Sequence, residues 1–257
     1  MRILFLSDLH FGQDPLSYNE ALMLVGLVRP DVLLLGGDFD DAKLAEKFIN
    51  EAVKRCGLVL YILGNNDEFN FLNVKHAEHI DADVVVKLHP DACVAFCGIS
   101  RNIALSEKPF RKLPWMYLYD ADRVSALIFK SRKMFDLTIL MIHEVPLELA
   151  QIAKEHEIIQ EYNEKIASTV TEAVKRICPD IVLTGHLHTK YLVAEAEYDG
   201  RKVTYILTCW MKHRTYVEID VDNEHGWFIR VLKFPNVAEP LETIVCPKPE
   251  PTGTEPE

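Results

Sequence analysis

Five short, nearly uninterrupted apolar runs stand out along the first two thirds of the chain. They cover residues 3–6, 32–35, 58–63, 137–142 and 181–183, and each is followed by polar residues with potential chemistry. Runs this short and this apolar predict strands buried on both faces. Between the first three lie two stretches of helical period. Residues 18–28 place Leu22, Val25 and Val28 on one face and stop before Arg29-Pro30. In the second, Leu44, Ala45, Phe48, Ile49, Ala52 and Val53 recur at three-four spacing, with Gly57 as a C-cap candidate. Strand, helix, strand, helix, strand is the signature of a parallel α/β layer.

The middle is less regular. Residues 83–88 and 93–99 predict a hairpin turning at His89-Pro90-Asp91. A surface helix is predicted over 73–80, carrying His76 and His79. Residues 100–119 predict an irregular stretch in which Arg101, Lys108, Arg111 and Lys112 alternate with Phe110, Trp115, Tyr117 and Tyr119, either a substrate-reading lid or an ordinary loop. Helix is predicted over 121–134 and over most of 147–177, with a break near His156 or Tyr162. From Tyr191 the period changes to two. Residues 191–198 and 202–208 flank Asp199-Gly200, and 215–221 and 227–234 flank Asn223-Glu224-His225-Gly226, which predicts two hairpins of a second, antiparallel sheet. A single domain over 1–235 is expected, followed by a Pro-rich tail over 236–257 that stays extended or disordered.

Composition narrows the picture only slightly. Of 257 residues, 49% are hydrophobic and 26% charged, the balance of an ordinary globular protein. A net charge of −11 opposes non-specific attraction to nucleic acid or anionic membrane. The six cysteines form no Cys-x-x-Cys pair and mostly sit in apolar runs, so a reducing, cytoplasmic location is expected. No apolar stretch is long enough to span a membrane, and Asp8 interrupts the N-terminal run before it could serve as a signal peptide.

The chemistry lies at the ends of the apolar runs. Asp8 and His10 follow the first, Asp38 the second, Asn65 the third, His143 the fourth, and His186 and His188 the fifth. In extended backbone, residues i and i+2 point to the same side, so Asp8 and His10 can converge, and His186 and His188 repeat that spacing. The set reads as seven oxygen and nitrogen donors at the carboxyl edge of one inferred sheet, the edge where α/β proteins bind ligands. Carboxylate, amide and imidazole together suit divalent transition metals. Glycines precede Asp38, Asn65 and His186, where the chain must leave a strand sharply. Any one of these donors alone reads as a turn or cap residue; the ordered set does not.

Asp8-Leu9-His10, Gly37-Asp38-Phe39-Asp40-Asp41, Gly64-Asn65-Asn66-Asp67, His143 and Gly185-His186-Leu187-His188 resemble the five ordered blocks of the calcineurin-like metallophosphoesterases. The resemblance implies a four-layer αββα sandwich of two mixed β-sheets flanked by helices. It implies that Asp8, His10 and His188 bind one divalent ion, that Asn65, His143 and His186 bind another, and that Asp38 bridges them. Mn²⁺ is the first expectation, with Ni²⁺, Fe, Zn²⁺ or Mg²⁺ as alternatives. A metal-bridging hydroxide would then hydrolyse a phosphate-ester substrate, with nucleic acid entering only as a substrate. A nuclease of the same fold and a catalytically silent scaffold are the alternatives. The sequence departs from the family where the third block commonly reads Gly-Asn-His-Asp or Gly-Asn-His-Glu. There the histidine is thought to protonate the leaving group, and the last Asp of the second block orients it. Here that position is Asn66, which cannot give up a proton near neutral pH. Phosphodiesters with acidic leaving groups are therefore favoured slightly over monoesters, or His213 or Tyr117 supplies the proton. Asp41 loses its usual partner, and Arg101 is the best candidate for contact with substrate.

Overall fold

The pleat of β1 (Arg2–Leu6) divides its side chains between two apolar layers. Ile3 and Phe5 enter one cluster, Leu4 and Leu6 another, and all four are fully buried. This is why the run carries no polar residue: neither face meets water. The computed structural model describes residues 1–68, 72–90, 92–103, 110–129, 131–222 and 226–246.

On one side β1 pairs in parallel with β2 (Val32–Leu35), β2 with β3 (Leu58–Tyr61), and β3 with the edge strand β4 (Ala77–His79). The second sheet contains β5 (Asp83–His89), β6 (Ala92–Ile99), β9 (Leu137–Ile142), β10 (Ile181–Thr184), β11 (Tyr191–Tyr198) and β12 (Arg201–Thr208), in spatial order β11-β12-β10-β9-β6-β5. Its centre is parallel and both its edges are closed by antiparallel hairpins. Strands β13 (Thr215–Asp222), β14 (Gly226–Lys233) and β15 (Glu242–Cys246) extend the first sheet antiparallel from the free side of β1. A two-residue pair, β7 (Asn102–Ile103) with β8 (Phe110–Arg111), stands apart. The five apolar runs therefore divide three and two between the sheets and do not share one sheet. Buried parallel strands look alike in sequence whichever sheet receives them.

The two sheets face each other over a cluster that includes Phe5, Leu34, Phe96, Ile139, Leu183 and Ile229. On the outer face of the first sheet pack α1 (Ser17–Val28) and α2 (Ala42–Ala52), through Leu24, Val25, Phe48 and Ile49. On the outer face of the second pack α3 (Pro114–Phe129), α4 (Leu147–Glu155) and α5 (Glu164–Ile177), through Val124, Leu149, Val170 and Val174. The result is two mixed sheets between helical layers.

Three local expectations change. The third helix begins at Pro114, inside the stretch expected to be irregular; proline is well suited to a first helical turn, whose N–H has no partner to lose. Tyr117 is thereby buried beneath the helix while Trp115 and Tyr119 stay exposed. No helix carries His76 and His79. His79 lies in β4, where its ring stacks on Tyr61 at 5.1 Å, and burial pushes its pKa down to about 4. Finally, part of the expected tail is ordered, because β15 pairs with β14 from Trp227 to Val231, with Ile244 packed against the inter-sheet core. Lys108, residues 223–225 where a turn was expected, and residues 247–257 lie outside the described residues.

Because Phe5 is fully buried between the sheets, Phe5→Ala is expected to cost about 3–5 kcal/mol. Urea denaturation of the two proteins measures it, and a loss under about 1 kcal/mol would contradict this packing.

Candidate metal centre

All seven donors gather where the carboxyl ends of β1, β2 and β3 meet those of β9 and β10, at the seam between the sheets. They do not converge by pleat. Asp8 has φ 54° and His10 φ 43°, and His186 and His188 have φ 76° and 49°, so both pairs sit in left-handed backbone. Asp38 at 58° and Asp40 at 66° do the same. Asp and His tolerate this region better than most side chains, yet each such residue costs of order 1 kcal/mol or more and persists only when its surroundings hold it. Here the hold is visible. The N–H groups of Asp8 and His10 donate to the carbonyls of Gly37 (3.1 Å) and Asp38 (2.8 Å), lacing the end of β1 to that of β2. After β12, the turn α6 (Trp210–His213) donates Trp210 N and Met211 N to the carbonyls of Ser7 and Asp8, both at 3.0 Å.

Asp67 holds the next seam. It is fully buried, and its carboxylate accepts from the N–H groups of Asp38 (2.9 Å), Phe39 (2.7 Å), Asp40 (3.3 Å) and Gly64 (2.7 Å). One side chain thus fixes the loops after β2 and β3 against each other. Glycine is required at two of these ends for closeness of approach. A methyl group at Gly64 would strike the Asp38 carboxylate, and one at Gly185 would strike Ser7 Oγ and Asp8 Oδ2.

The donors form two sets that share Asp38. In the first, Asp8, His10, Asp38 and His188 offer ligand atoms that all lie within 4.8 Å of one another. His10 Nε2 is 2.9 Å from His188 Nε2 and 3.7 Å from Asp38 Oδ2, and His188 Nε2 is 3.4 Å from Asp8 Oδ1. In the second, Asn65 Oδ1 is 3.1 Å from His143 Nε2 and 2.7 Å from His186 Nδ1, while His143 Nε2 is 3.4 Å from Asp38 Oδ2. Donors about 3 Å apart are spaced as the edges of a polyhedron with metal–ligand bonds of about 2.1 Å. Two of the imidazoles are also oriented for ligation. His10 Nδ1 is 2.8 Å from Asp40 Oδ2 and His143 Nδ1 is 2.8 Å from the Gly36 carbonyl, so each ring donates from Nδ1 and turns Nε2 inward.

The remaining sequence candidates separate. Asn66 turns onto Asp38: its backbone N–H donates to Oδ1 and its side-chain amide to Oδ2, both at 2.9 Å. Asp41 caps α2, accepting from Leu44 N at 2.9 Å. Arg101 reaches the second set, with Nη1 3.1 Å from Asn65 Oδ1, and pairs through Nε with Glu144 Oε1 at 2.5 Å. Tyr117 lies in the apolar layer under α3, where burial and then the charge of Glu144 raise its pKa well above the phenol range and make it a weaker acid than a free phenol. His213 faces the His188 carbonyl at 3.2 Å. Asp40, Asp67 and Glu144 are the residues that sequence reasoning left without a role. Asp40 and Asp67 stood inside the quoted blocks, but only their partners reveal what they do; Glu144 carried no signal beyond following His143.

Opposed charges dominate the electrostatics. Burial by itself would raise Asp38 and lower His143, but each holds the other ionised. Asp38 lies far below the usual carboxylate range, and His143 rises to about 10. Burial, then the nearby charges of His143 and Arg101, pushes His186 down to about 3. Burial and the charge of Asp38 raise Asp67 to about 6.

Residues 1–190 match the family model described as calcineurin-like phosphoesterase. The chain belongs to this family. No curated protein matches it significantly. Among solved structures, TT1561 of Thermus thermophilus superposes with a TM-score of 0.57 at 14% identity, covering 85% of this chain and 93% of that one. Phosphopantetheinyl hydrolase (PptH) from Mycobacterium tuberculosis gives 0.52 at 13% identity, covering 91% and 96%. Identities this low establish a common fold. As a calcineurin-like phosphoesterase, the chain is a metal-dependent phosphoester hydrolase, and its buried and half-buried nitrogen and oxygen donors fit divalent ions.

Two outcomes follow. Asp40→Asn, which weakens the acceptor behind His10, is expected to lower metal affinity about 10–100-fold with the fold intact, measured by calorimetric titration with Mn²⁺. Because His143 is raised to about 10 in the metal-free protein, it is protonated at pH 7–9 and must release that proton to bind metal. Apparent affinity at that position therefore rises with pH and levels off near pH 10. Titrations in buffers of different ionisation enthalpy should show about one proton released at pH 8; none released would refute the charged imidazole.

Proposed function

We propose that this chain hydrolyses phosphate esters with two divalent ions and that it prefers phosphodiesters to monoesters. The first ion is assigned to Asp8, His10, Asp38 and His188, and the second to Asn65, His143, His186 and the shared Asp38. When bound, such a pair neutralises the phosphate charge and activates the attacking water. Mn²⁺ is the leading candidate for this mixed oxygen and nitrogen set, with Ni²⁺, Fe, Zn²⁺ and Mg²⁺ to be compared.

The observation that carries the substrate preference is the position of Asn66. Its amide is committed to Asp38 Oδ2, the carboxylate oxygen nearest both ligand sets. An amide at this point steadies the bridging carboxylate but has no proton to deliver to a departing alkoxide. Esters whose leaving groups are already acidic need none. A cytoplasmic setting is supported by six cysteines that are all free thiols. Among the described residues, no helix is long and apolar enough to cross a membrane.

The test is a rate comparison on aryl phosphate mono- and diesters with each metal. Diesters are expected to turn over at least about tenfold faster, and Asp38→Asn to lower both rates by about 10²-fold or more. Asn66→His is expected to speed poor leaving groups selectively, since a positioned general acid is worth about 10²–10⁴-fold. Equal rates on both ester classes would overturn the preference, and protein that takes up no metal would overturn the enzymatic reading.

A further inference from the structure

We propose that Arg101 makes the position of Asn65, His143 and His186 the weaker of the two metal positions and ties its occupancy to a bound phosphate oxyanion. The inference rests on the two-ion reading above. It begins with an asymmetry of charge. The first set holds the carboxylates of both Asp8 and Asp38. The ligands peculiar to the second set are an amide and two imidazoles, so its only carboxylate is the shared one. The relevant oxygen of that carboxylate, Oδ2, already accepts a hydrogen bond from Asn66 Nδ2 at 2.9 Å.

Arg101 adds a fixed positive charge to the same side. Its Nη1 lies 3.1 Å from Asn65 Oδ1, a ligand atom, and 3.3 Å from both ring nitrogens of His186. A metal ion at this position must displace or crowd that hydrogen bond and sit beside a guanidinium. Glu144 pairs with Arg101 Nε at 2.5 Å but offsets the charge at the second set only in part, because its Oε2 is 3.8 Å from His186 Nε2 while Nη1 of Arg101 is 3.3 Å from it. The backbone that carries the guanidinium is clamped, which anchors its charge beside the second set. Arg101 N donates to the Leu63 carbonyl at 2.9 Å, and its own carbonyl accepts from Lys112 N at 2.9 Å. Lys112 is in turn locked between Asp81 and Asp120 at 2.5 Å each, and Asp81 also accepts from Ser100 N at 2.8 Å.

A phosphate oxyanion changes this balance. Guanidinium groups pair strongly with phosphate oxygens, and an anion at the seam draws Nη1 away from Asn65 Oδ1 and cancels its charge. The freed ligand atom and the reduced repulsion then favour the second ion. By linkage, the ion strengthens the anion by the same factor. Arg101 thus couples completion of the metal pair to the arrival of the group to be cleaved.

The test is calorimetric titration of metal-free protein with Mn²⁺, with and without inorganic phosphate, and with folding checked by circular dichroism. Wild type is expected to show two classes of site, the second at least about tenfold weaker and tightened by phosphate. In Arg101→Gln the second class should tighten about tenfold without phosphate, the first should stay unchanged, and the gain from phosphate should shrink. Glu144→Gln, of nearly the same shape, leaves the cation uncompensated and should weaken the second class further. If Arg101→Gln does not fold, the direction of the Glu144→Gln change decides. A second class unchanged or weakened in folded Arg101→Gln, or tightened in Glu144→Gln, overturns the proposal while leaving the two-ion reading intact. Absence of any Mn²⁺ uptake overturns both.

Discussion

The carboxylate of Asp38 is where the two halves of this molecule meet. Its Oδ2 lies 3.7 Å from His10 Nε2 and 3.4 Å from His143 Nε2, so one oxygen faces donors carried by both sheets. For that to hold, β2 must end at the seam, flanked by β1 and β3 and opposite the ends of β9 and β10. The inter-sheet core sets this separation. Phe5, Leu34, Ile139 and Leu183 pack between the layers and bring both sets of strand ends to one place. The apolar interior and the polar centre are therefore one construction, since the first sets the distance that the second requires.

Holding that centre is costly, and the costs are met locally. Six of the residues around it sit in left-handed backbone without being glycine. Charges are buried beside one another, with Asp8, Asp38 and Asp67 all fully enclosed. The compensation lies in hydrogen bonds that cross between loops. Asp67 gathers N–H groups from two strand ends, and Asp8 accepts from His186 N at 2.9 Å across the seam. Buried carboxylates that accept several N–H groups fix geometry more firmly than loops alone could. A metal centre needs this stiffness, because its ligand atoms must lie within tenths of an ångström of a polyhedron.

Much of this was legible in the chain. The buried strands announced themselves as apolar runs, and the donors were recognisable because each followed such a run. Asn66 stood out as a departure before any geometry was known. Other features had no sequence signal. Asp40 and Asp41 are adjacent and chemically identical, yet one orients His10 and the other caps α2. His79 looked like a surface-helix residue and lies in β4, stacked on Tyr61. Arg101 and Glu144 lie far apart in the chain and became partners only when β6 and β9 paired in parallel.

What the sequence determined by itself is what depends on neighbours along the chain: where strands run, which helical faces are apolar, and which donors follow each strand. Burial on two faces and the periods of strand and helix are written locally, so they can be read locally. What only the tertiary structure decided is which strands share a sheet, which ligand atoms share a position, and how Asp8 and His10 converge through left-handed backbone. Those outcomes depend on contacts between residues as far apart as Asp8 and His186, and local pattern carries no record of such distances. The same limit applies to Asn66. Its identity showed what it could not do, but only the packed loops reveal that its amide spends itself on Asp38.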